Sequence, residues 1–294
     1  MQKTILERVE RVADDVVSLV LRGDEGPLEA WEPGAHIDLA LPNWLTRQYS
    51  LCGDPGDLSA YRIAVRLDPL SRGGSEYIHW YLGPGRTLEV SSPRNHFPLV
   101  PAPDYLFLAG GIGITPIVPM LRAAVAAGAA ASLVYVGRSA STMPFAAELG
   151  ATYGERVSLF SQGRPDLASF ADFTGEVYCC GPASMLAAAE AVFPRVHAER
   201  FQPTARVFGP DTAFEVVCAR SGATIQVPAD ESLLDALNHA GRPVPSGCRE
   251  GVCGSCELSV LDGEPEHRDD IGAPTGRMYA CVSRALSPRL VLDV

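Results

Sequence analysis

Lysine is almost absent from this chain. Of its 24 basic residues only Lys3 is lysine, and no GxxxxGK[ST] motif occurs, which excludes Schiff-base chemistry and P-loop nucleotide binding. Positive charge is in deficit throughout. Thirty-five acidic residues leave a net charge of −11, which argues against a nucleic-acid-binding surface and against a polybasic membrane anchor. Long apolar runs are missing as well. The longest uncharged stretch, Tyr105 to Leu121, is broken by Gly110, Gly111, Gly113, Pro116 and Pro119, and reads as strand, turn and helix rather than a membrane span. The opening Met-Gln-Lys-Thr, followed by Glu7 and Glu10, lacks the apolar core of a signal peptide. A soluble cytoplasmic protein is expected, with no nucleic-acid or membrane partner.

What is present is ample core-forming material. With 294 residues, 47% hydrophobic and 20% charged, the chain suits two or three domains. Its first hundred residues hold short β-branched segments separated by Gly, Pro and Asp: Thr4–Val12, Val16–Arg22, His36–Leu41, Gln48–Leu51, Tyr61–Val65 and Thr87–Val90, with one helix from Gly74 to Tyr81. That spacing predicts an antiparallel β-barrel over residues 1–100. From Pro101 the pattern changes to apolar runs (Tyr105–Ala109, Ser132–Gly137, Val157–Phe160, Glu176–Cys180) alternating with helices at Pro116–Ala127, Phe145–Tyr153 and Ala183–Phe193. This predicts an α/β domain with a parallel sheet over 101–203. A Pro-containing linker is expected at 204–212. A third domain, 213–294, follows with strands at Ala213–Cys218, Ala223–Val227, Glu257–Leu261 and Arg289–Leu292 and a helix near Leu233–Ala240.

The cysteines carry the first chemical signal. Four of the eight are scattered (Cys52, Cys179, Cys180, Cys218), and four fall in the last 50 residues as Cys248-x4-Cys253-x2-Cys256 and Cys281. This is the plant-type iron–sulfur spacing. Gly247, Gly251 and Gly254 leave the loop free to wrap a compact cluster and to turn N–H groups toward its sulfides. A zinc site usually presents two separate CxxC-like knuckles instead, so a [2Fe–2S] cluster is the expected metal centre. The segment Gly247-Cys-Arg-Glu-Gly-Val-Cys-Gly-Ser-Cys256 with Cys281 resembles a plant-type ferredoxin domain, which implies an α+β β-grasp fold. The six histidines, His36, His79, His96, His197, His239 and His267, show no ligand spacing.

Two turns belong to the central segment. Ala109-Gly-Gly-Ile-Gly-Ile-Thr-Pro116 follows an apolar strand and opens a helix, an arrangement that lets backbone approach a pyrophosphate at a helix N-terminus. It equally serves as a plain strand-to-helix turn. Cys179-Cys180-Gly181-Pro182 ends another strand of the same sheet, so both turns are expected at one crevice; position alone fits Cys180 as a buried small residue equally, and together with the upstream features a nicotinamide contact is the favoured reading. In the first segment, Arg47 and the Arg72-Gly73-Gly74-Ser75 helix start supply a cation and donors for a phosphate. Tyr49 suits packing on a ring system.

Taken in order, Arg47-Gln-Tyr-Ser50, Arg72-Gly-Gly-Ser75, Gly110-Gly-Ile-Gly-Ile-Thr-Pro116, Cys180-Gly-Pro182 and Glu199-Arg-Phe201 resemble the ferredoxin–NADP reductase superfamily. With the C-terminal ferredoxin-like segment, the whole chain resembles the phthalate dioxygenase reductase family, which includes the vanillate demethylase reductases. The resemblance implies a multidomain fold: a flavin-binding antiparallel barrel, a nucleotide-binding α/β domain and a ferredoxin domain. It implies FMN held by Arg47, Gln48, Tyr49 and Ser50, by Ala64, Val65 and Arg66, and by Gly74 and Ser75. It implies nicotinamide binding at Gly111, Thr115, Cys180 and Pro182, with Ser50, Glu199 and Phe201 bordering the flavin ring. Arg138, after the second strand of the parallel sheet, stands where a Rossmann NAD site often places an acidic residue, and could grip a 2′-phosphate, stack on adenine or simply be solvated. NADH is expected as donor, and NADPH remains an alternative.

The function implied is transfer of electrons from NADH through FMN and the cluster to a terminal oxygenase component, of the Rieske type that serves aromatic-ring dioxygenases and O-demethylases. Two alternatives stand beside it: a haem monooxygenase as acceptor, and an electron-transfer subunit of a dehydrogenase complex such as that of dihydroorotate dehydrogenase. The latter subunits carry FAD and a much shorter spacing to the fourth cysteine.

Overall fold

The computed structural model describes residues 1–163 and 165–294 and divides the chain into two compact units, Met1–Arg200 and Phe201–Val294. In the first unit, β1 (Gln2–Ala13), β2 (Val16–Gly23), β3 (His36–Ala40), β4 (Thr46–Ser50), β5 (Ala60–Arg66) and β6 (Thr87–Val90) form a sheet of order β4-β3-β6-β1-β2-β5. Every pairing is antiparallel. The Leu51–Ile63 bridge and the Cys52 N–H, donating to Arg62 O at 2.8 Å, join its two outer strands, which removes the exposed edges that an open sheet would leave. Alternate residues point inward, so Leu6, Leu19, Leu21, Ile37, Leu39, Tyr61 and Ile63 fill the interior. Helix α1 (Gly74–Tyr81) lays Ile78 on that core.

The second sheet of this unit is parallel, with order β11-β10-β7-β8-β9: β7 (Asp104–Gly110), β8 (Ala130–Val136), β9 (Val157–Phe160), β10 (Glu176–Cys180) and β11 (His197–Glu199). Its inner strands are apolar on both faces because helices cover both. Phe107, Tyr135 and Tyr178 lie in one core with α2 (Ile114–Ala126), while Leu108, Cys179 and Leu186 lie in another with α4 (Ala183–Val192). Helix α3 (Ala146–Tyr153) connects β8 to β9. The barrel meets this sheet through Arg62, which sits 4.6 Å from the Phe145 ring centroid and 3.6 Å from Glu148, and through Arg122 with Asp54 at 3.2 Å.

In the second unit, β12 (Phe214–Cys218), β13 (Ala223–Val227), β14 (Glu257–Asp262), β16 (Arg277–Tyr279) and β18 (Arg289–Leu292) form a sheet of order β13-β12-β18-β14-β16; β15 (Pro265–Glu266) and β17 (Arg284–Ala285) pair separately. Helix α5 (Leu233–His239) packs Leu233, Leu234 and Leu237 onto this sheet, completing a β-grasp. Its N-cap is Ser232, whose Oγ accepts from the Asp235 N–H at 3.1 Å. Residues 204–212 have no regular structure, yet they are strapped to this unit. Thr204 N–H donates to Asp270 at 2.6 Å, Arg206 pairs with Asp270, and Arg268 lies over Phe208 while bonding Asp211 at 2.7 Å. Strand β11 and the short β15 to β17 are absent from the sequence expectations. At two or three residues they show no periodicity, and only their partners define them.

Phe107 is fully buried and stacks on Tyr105 at 5.5 Å between ring centroids. Phe107→Ala should cost about 3–5 kcal/mol, read as a lower urea midpoint; an unchanged midpoint would contradict the burial.

Candidate functional site

Three constellations are built by the fold. The first lies on the barrel. Strand β4 carries Arg47, Gln48, Tyr49 and Ser50, facing the Arg72–Ser75 loop that starts α1. Gly73 takes a left-handed φ of 85° and has no side chain to cap the helix; the Glu76 N–H donates to Ser71 Oγ at 3.4 Å, which leaves the Gly74 and Ser75 N–H groups at the helix start to face an anion. A Cβ on Gly74 would lie 2.7 Å from Arg47 Nε; only glycine lets this guanidinium lie against the helix start. Arg47 also donates to Thr46 O at 2.8 Å and to Arg72 O at 3.2 Å. Ser71 Oγ accepts from Gly73 N–H and from Ser75 Oγ, both at 3.1 Å, and Asn43 donates to Gly73 O at 3.1 Å. His79 Nε2 donates to Val65 O at 2.9 Å, tying α1 to the Ala64–Arg66 stretch of β5. Ser50 is buried. Burial pushes the Tyr49 phenol above its ordinary range against the opposing effect of Arg47, so the ring meets its surroundings as a neutral phenol. Gln48 spends its side-chain amide on Asp38, at 2.7 Å, inside an Asp38–Arg94 ion pair of the same length.

The second constellation lies at the carboxyl ends of β7 and β10, where open parallel sheets bind ligands. These strands are adjacent, with Cys180 opposite Ala109. A Cβ on Gly113 would lie 2.3 Å from Cys180 O, and one on Gly110 would lie 2.6 Å from Pro182 Cδ. The Gly110–Gly113 turn and the Cys180-Gly181-Pro182 turn are therefore pressed together with no room for side chains between them. Gly111 adopts φ 55°. Thr115 is buried and donates to Ile112 O at 2.9 Å, which closes the turn into α2; Pro116 follows in the helix's first turn. Tyr135, absent from the sequence expectations, lies 3.1 Å from Gly111 O and 3.2 Å from Pro144 O as donor. Its aromatic in the middle of an apolar strand gave no sign of that role.

Cys180 and Glu199 form a pair across β10 and β11, the thiol donating to Glu199 Oε2 at 3.9 Å. Burial, then the Glu199 charge, raises the Cys180 thiol well above its ordinary range, and burial raises Glu199 from 4.5 to about 8. Both groups are thus protonated near neutral pH. Arg138 stands two residues past β8, largely exposed, with its guanidinium on Asp15 at 3.1 Å. Phe201 begins the second unit with an exposed ring.

The third constellation is the cysteine loop. Cys248 is within hydrogen-bonding reach of Cys253 and Cys281, and Cys281 of Cys256, so the four sulfurs converge. Gly251 and Gly254 take φ 72° and 74°, and Arg249, beside the first ligand, takes φ 61°. Arg249 bonds Asp235 on α5, whose carboxyl it holds below the usual range together with Ser232; the loop is thereby fixed to the helix. Glu250 N–H donates to Cys248 Sγ at 3.3 Å, the kind of amide-to-sulfur bond that stabilises an anionic cluster. A [2Fe–2S] cluster takes four cysteines shared between two irons, and this donor set fits it.

The model of the 2Fe-2S iron-sulfur cluster binding domain matches residues 216–286. The chain is 42% identical to a putative toluene-4-sulfonate monooxygenase system reductase subunit of Comamonas testosteroni, covering 97% of this chain and 96% of the relative. It is 38% identical over the whole length of both chains to vanillate O-demethylase oxidoreductase of a Pseudomonas strain. The solved structure of phthalate dioxygenase reductase superposes with a TM-score of 0.73 at 35% identity, over 99% of this chain and 97% of that one. The chain belongs to the phthalate dioxygenase reductase family. Like others of that family it is an NAD(P)H-dependent flavin iron–sulfur oxidoreductase carrying a [2Fe–2S] cluster. A self-sufficient cytochrome P450 monooxygenase also matches, with a TM-score of 0.90 and 41% identity over all of this chain; the chain spans 41% of that one.

The Glu199 shift has a testable sign. Between about pH 4.5 and 8 the unfolded chain has released a proton that the folded chain still holds, so rising pH costs folding stability. Glu199→Gln should gain on the wild type across that window, by about 1–3 kcal/mol at pH 8 after discounting for partial exposure. Parallel Tm–pH curves for the two proteins would contradict the half-buried, protonated carboxyl.

Proposed function

We propose that this reductase takes hydride from NADH at the β7–β10 crevice and delivers electrons singly to a separate terminal oxygenase of the Rieske type, acting on an aromatic ring or an aryl ether. The observation that carries the reading is the locking of the Gly110–Gly113 turn against Cys180–Pro182, in the same compact unit as the Arg47–Ser75 anion cradle. FMN is the flavin the cradle fits. Arg47, laid along the first turn of α1, meets a terminal phosphate dianion with a cation beside the Gly74 and Ser75 N–H groups. The flavin supplies the conversion between two-electron and one-electron transfer.

The chain's own residues bind and position. Gly110, Gly111 and Gly113 let backbone approach the dinucleotide pyrophosphate, and Thr115 fixes their turn. Cys180 and Gly181-Pro182 border the nicotinamide, and the Cys180 thiol, kept neutral chiefly by burial, is paired with Glu199. Tyr49 and Ser50, with Ala64, Val65 and Arg66 from β5, border the isoalloxazine; Phe201 is assigned to the same ring by family likeness. Cys248, Cys253, Cys256 and Cys281 hold the cluster, and Arg249 with Asp235 fixes their loop. None of these side chains acts as a strong acid or base. Their work is orientation and tuning of potential.

A second reading keeps the electron path and replaces the acceptor with a haem monooxygenase, favoured by the P450 chain that matches over this protein's full length. Reconstitution separates the two: with NADH, the holoprotein should support turnover of a Rieske-type aromatic oxygenase and leave a soluble haem monooxygenase idle; the reverse result would establish the second reading. Residues 213–294 carry 12 acidic and 7 basic side chains, so docking on a basic patch should weaken with salt. Turnover with the true acceptor should fall several-fold between low and moderate ionic strength, at unchanged NADH oxidation with ferricyanide.

Arg47→Gln should lower retained FMN on gel filtration by on the order of tenfold or more. Release of FAD instead of FMN from the wild-type protein would overturn the assignment of the cradle.

A further inference from the structure

In dinucleotide sites of this architecture, the end of the second parallel strand chooses between coenzymes: a carboxylate there favours a ribose 2′-hydroxyl, and an arginine accommodates a 2′-phosphate. The sequence after β8 reads Gly137-Arg138-Ser139-Ala-Ser-Thr142 and contains no acid. By composition alone this end of the site belongs to a 2′-phosphate. Arg138 is also the only basic residue between the start of β8 and the end of α3.

The fold supplies the missing carboxylate from the other sheet. Asp15 sits on the two-residue turn between β1 and β2, and its Oδ2 accepts from Arg138 Nη2 at 3.1 Å. The two residues are 123 positions apart. The turn is fastened to the loop after β8 by Asp14 N–H, which donates to Ser141 O at 2.9 Å, and to the end of β5 by Leu67 N–H, which donates to Asp15 O at 2.7 Å. Among the described residues Asp15 Oδ1 is sealed from solvent without a hydrogen-bond partner, and the ion pair this carboxylate makes is through Oδ2 with Arg138. The neighbouring hydroxyls are occupied as well. Thr142 Oγ1 donates to Ser139 O at 3.0 Å and accepts from Ser139 N–H at 3.2 Å, and Ser139 Oγ lies 3.1 Å from Ser141 Oγ.

We propose that Asp15 is the coenzyme-selecting residue of this reductase: from the barrel turn it neutralises Arg138 and sets a negative charge beside the adenosine 2′ position, so that NADH is accepted and NADPH disfavoured. The proposal rests on the β7–β10 crevice being the dinucleotide site. Asp15 acts through Arg138 and is a positioning residue. Discrimination comes from what the site does to the wrong coenzyme, because a 2′-phosphate must compete with Asp15 for the guanidinium and approach a like charge.

The test compares the wild type, Asp15→Asn, Asp15→Glu and the double variant Asp15→Asn/Arg138→Leu as holoproteins. NADH and NADPH are assayed with ferricyanide as acceptor, and NAD⁺ and NADP⁺ are titrated for direct binding. Asp15→Asn should raise the NADPH-to-NADH ratio of kcat/KM on the order of tenfold and lower the Kd of NADP⁺ relative to NAD⁺ in step. Asp15→Glu should keep the wild-type ratio, and adding Arg138→Leu to Asp15→Asn should abolish the gain. An unchanged ratio in Asp15→Asn, or a gain that survives loss of Arg138, would overturn the proposal while leaving the crevice assignment standing. Failure of the wild type to bind or oxidise either coenzyme would overturn both.

Discussion

Much of the first unit depends on one close approach. Strands β7 and β10 run parallel and in register, and the turns that leave them are pressed together until a Cβ at Gly113 would fall 2.3 Å from the Cys180 carbonyl. The contact does two things at once. It brings backbone rather than side chain to the contact between the two turns at the carboxyl end of the sheet, and it sets the buried Cys180 beside its partner Glu199 on the next strand. The price of this geometry is a run of glycines in a segment that must also start a helix. Thr115 and Tyr135 offset it by fixing the turn from below and from the next strand.

The cysteine loop answers a different constraint with similar means. Its four sulfurs come from a loop and a distant turn, and the residue beside the first ligand is an arginine in left-handed backbone. Such a conformation persists only where its surroundings hold it. Arg249 is held by Asp235 on α5, and Gly251 O accepts from Asp270 N–H at 3.1 Å. Asp270 also grips Arg206, which donates to Asp269 O at 3.1 Å as well. The segment before the β-grasp is thus connected to the loop by two consecutive acidic residues. An ionic network that tethers a chain segment to a cluster loop is a salt-sensitive element.

The sequence carried the fold in proportion to how local each signal was. The short barrel strands, the apolar runs of the parallel sheet and the glycine turns are decided within a few residues, and they stand in the structure within one or two residues of the expected bounds. Strand β11 is three residues defined only by its neighbour β10, and no local pattern announces it. The same limit governs the site. Motif spacing pointed to Arg47, Gly74, Gly113 and Cys180, and the fold brings Arg47 to Gly74 and Gly113 to Cys180. The partners that fix the neighbouring groups (Asp38 for Gln48, Asp15 for Arg138, Asp235 for Arg249) are polar residues 10 to 123 positions away. Polar side chains of that kind look like solvated surface until topology pairs them. The loop between the last parallel strand and the β-grasp looked like a plain linker for the same reason.

The central claim is that one polypeptide divides a two-electron donor into single electrons using a flavin and a four-cysteine cluster. Anaerobic titration of the purified holoprotein with NADH, followed by the visible bands of both centres, tests it most directly. A flavin that takes two electrons and a cluster that takes one require about 1.5 equivalents of NADH per chain, with both chromophores bleached. An endpoint at about one equivalent with the cluster band intact, or no bleaching at all, would contradict the account.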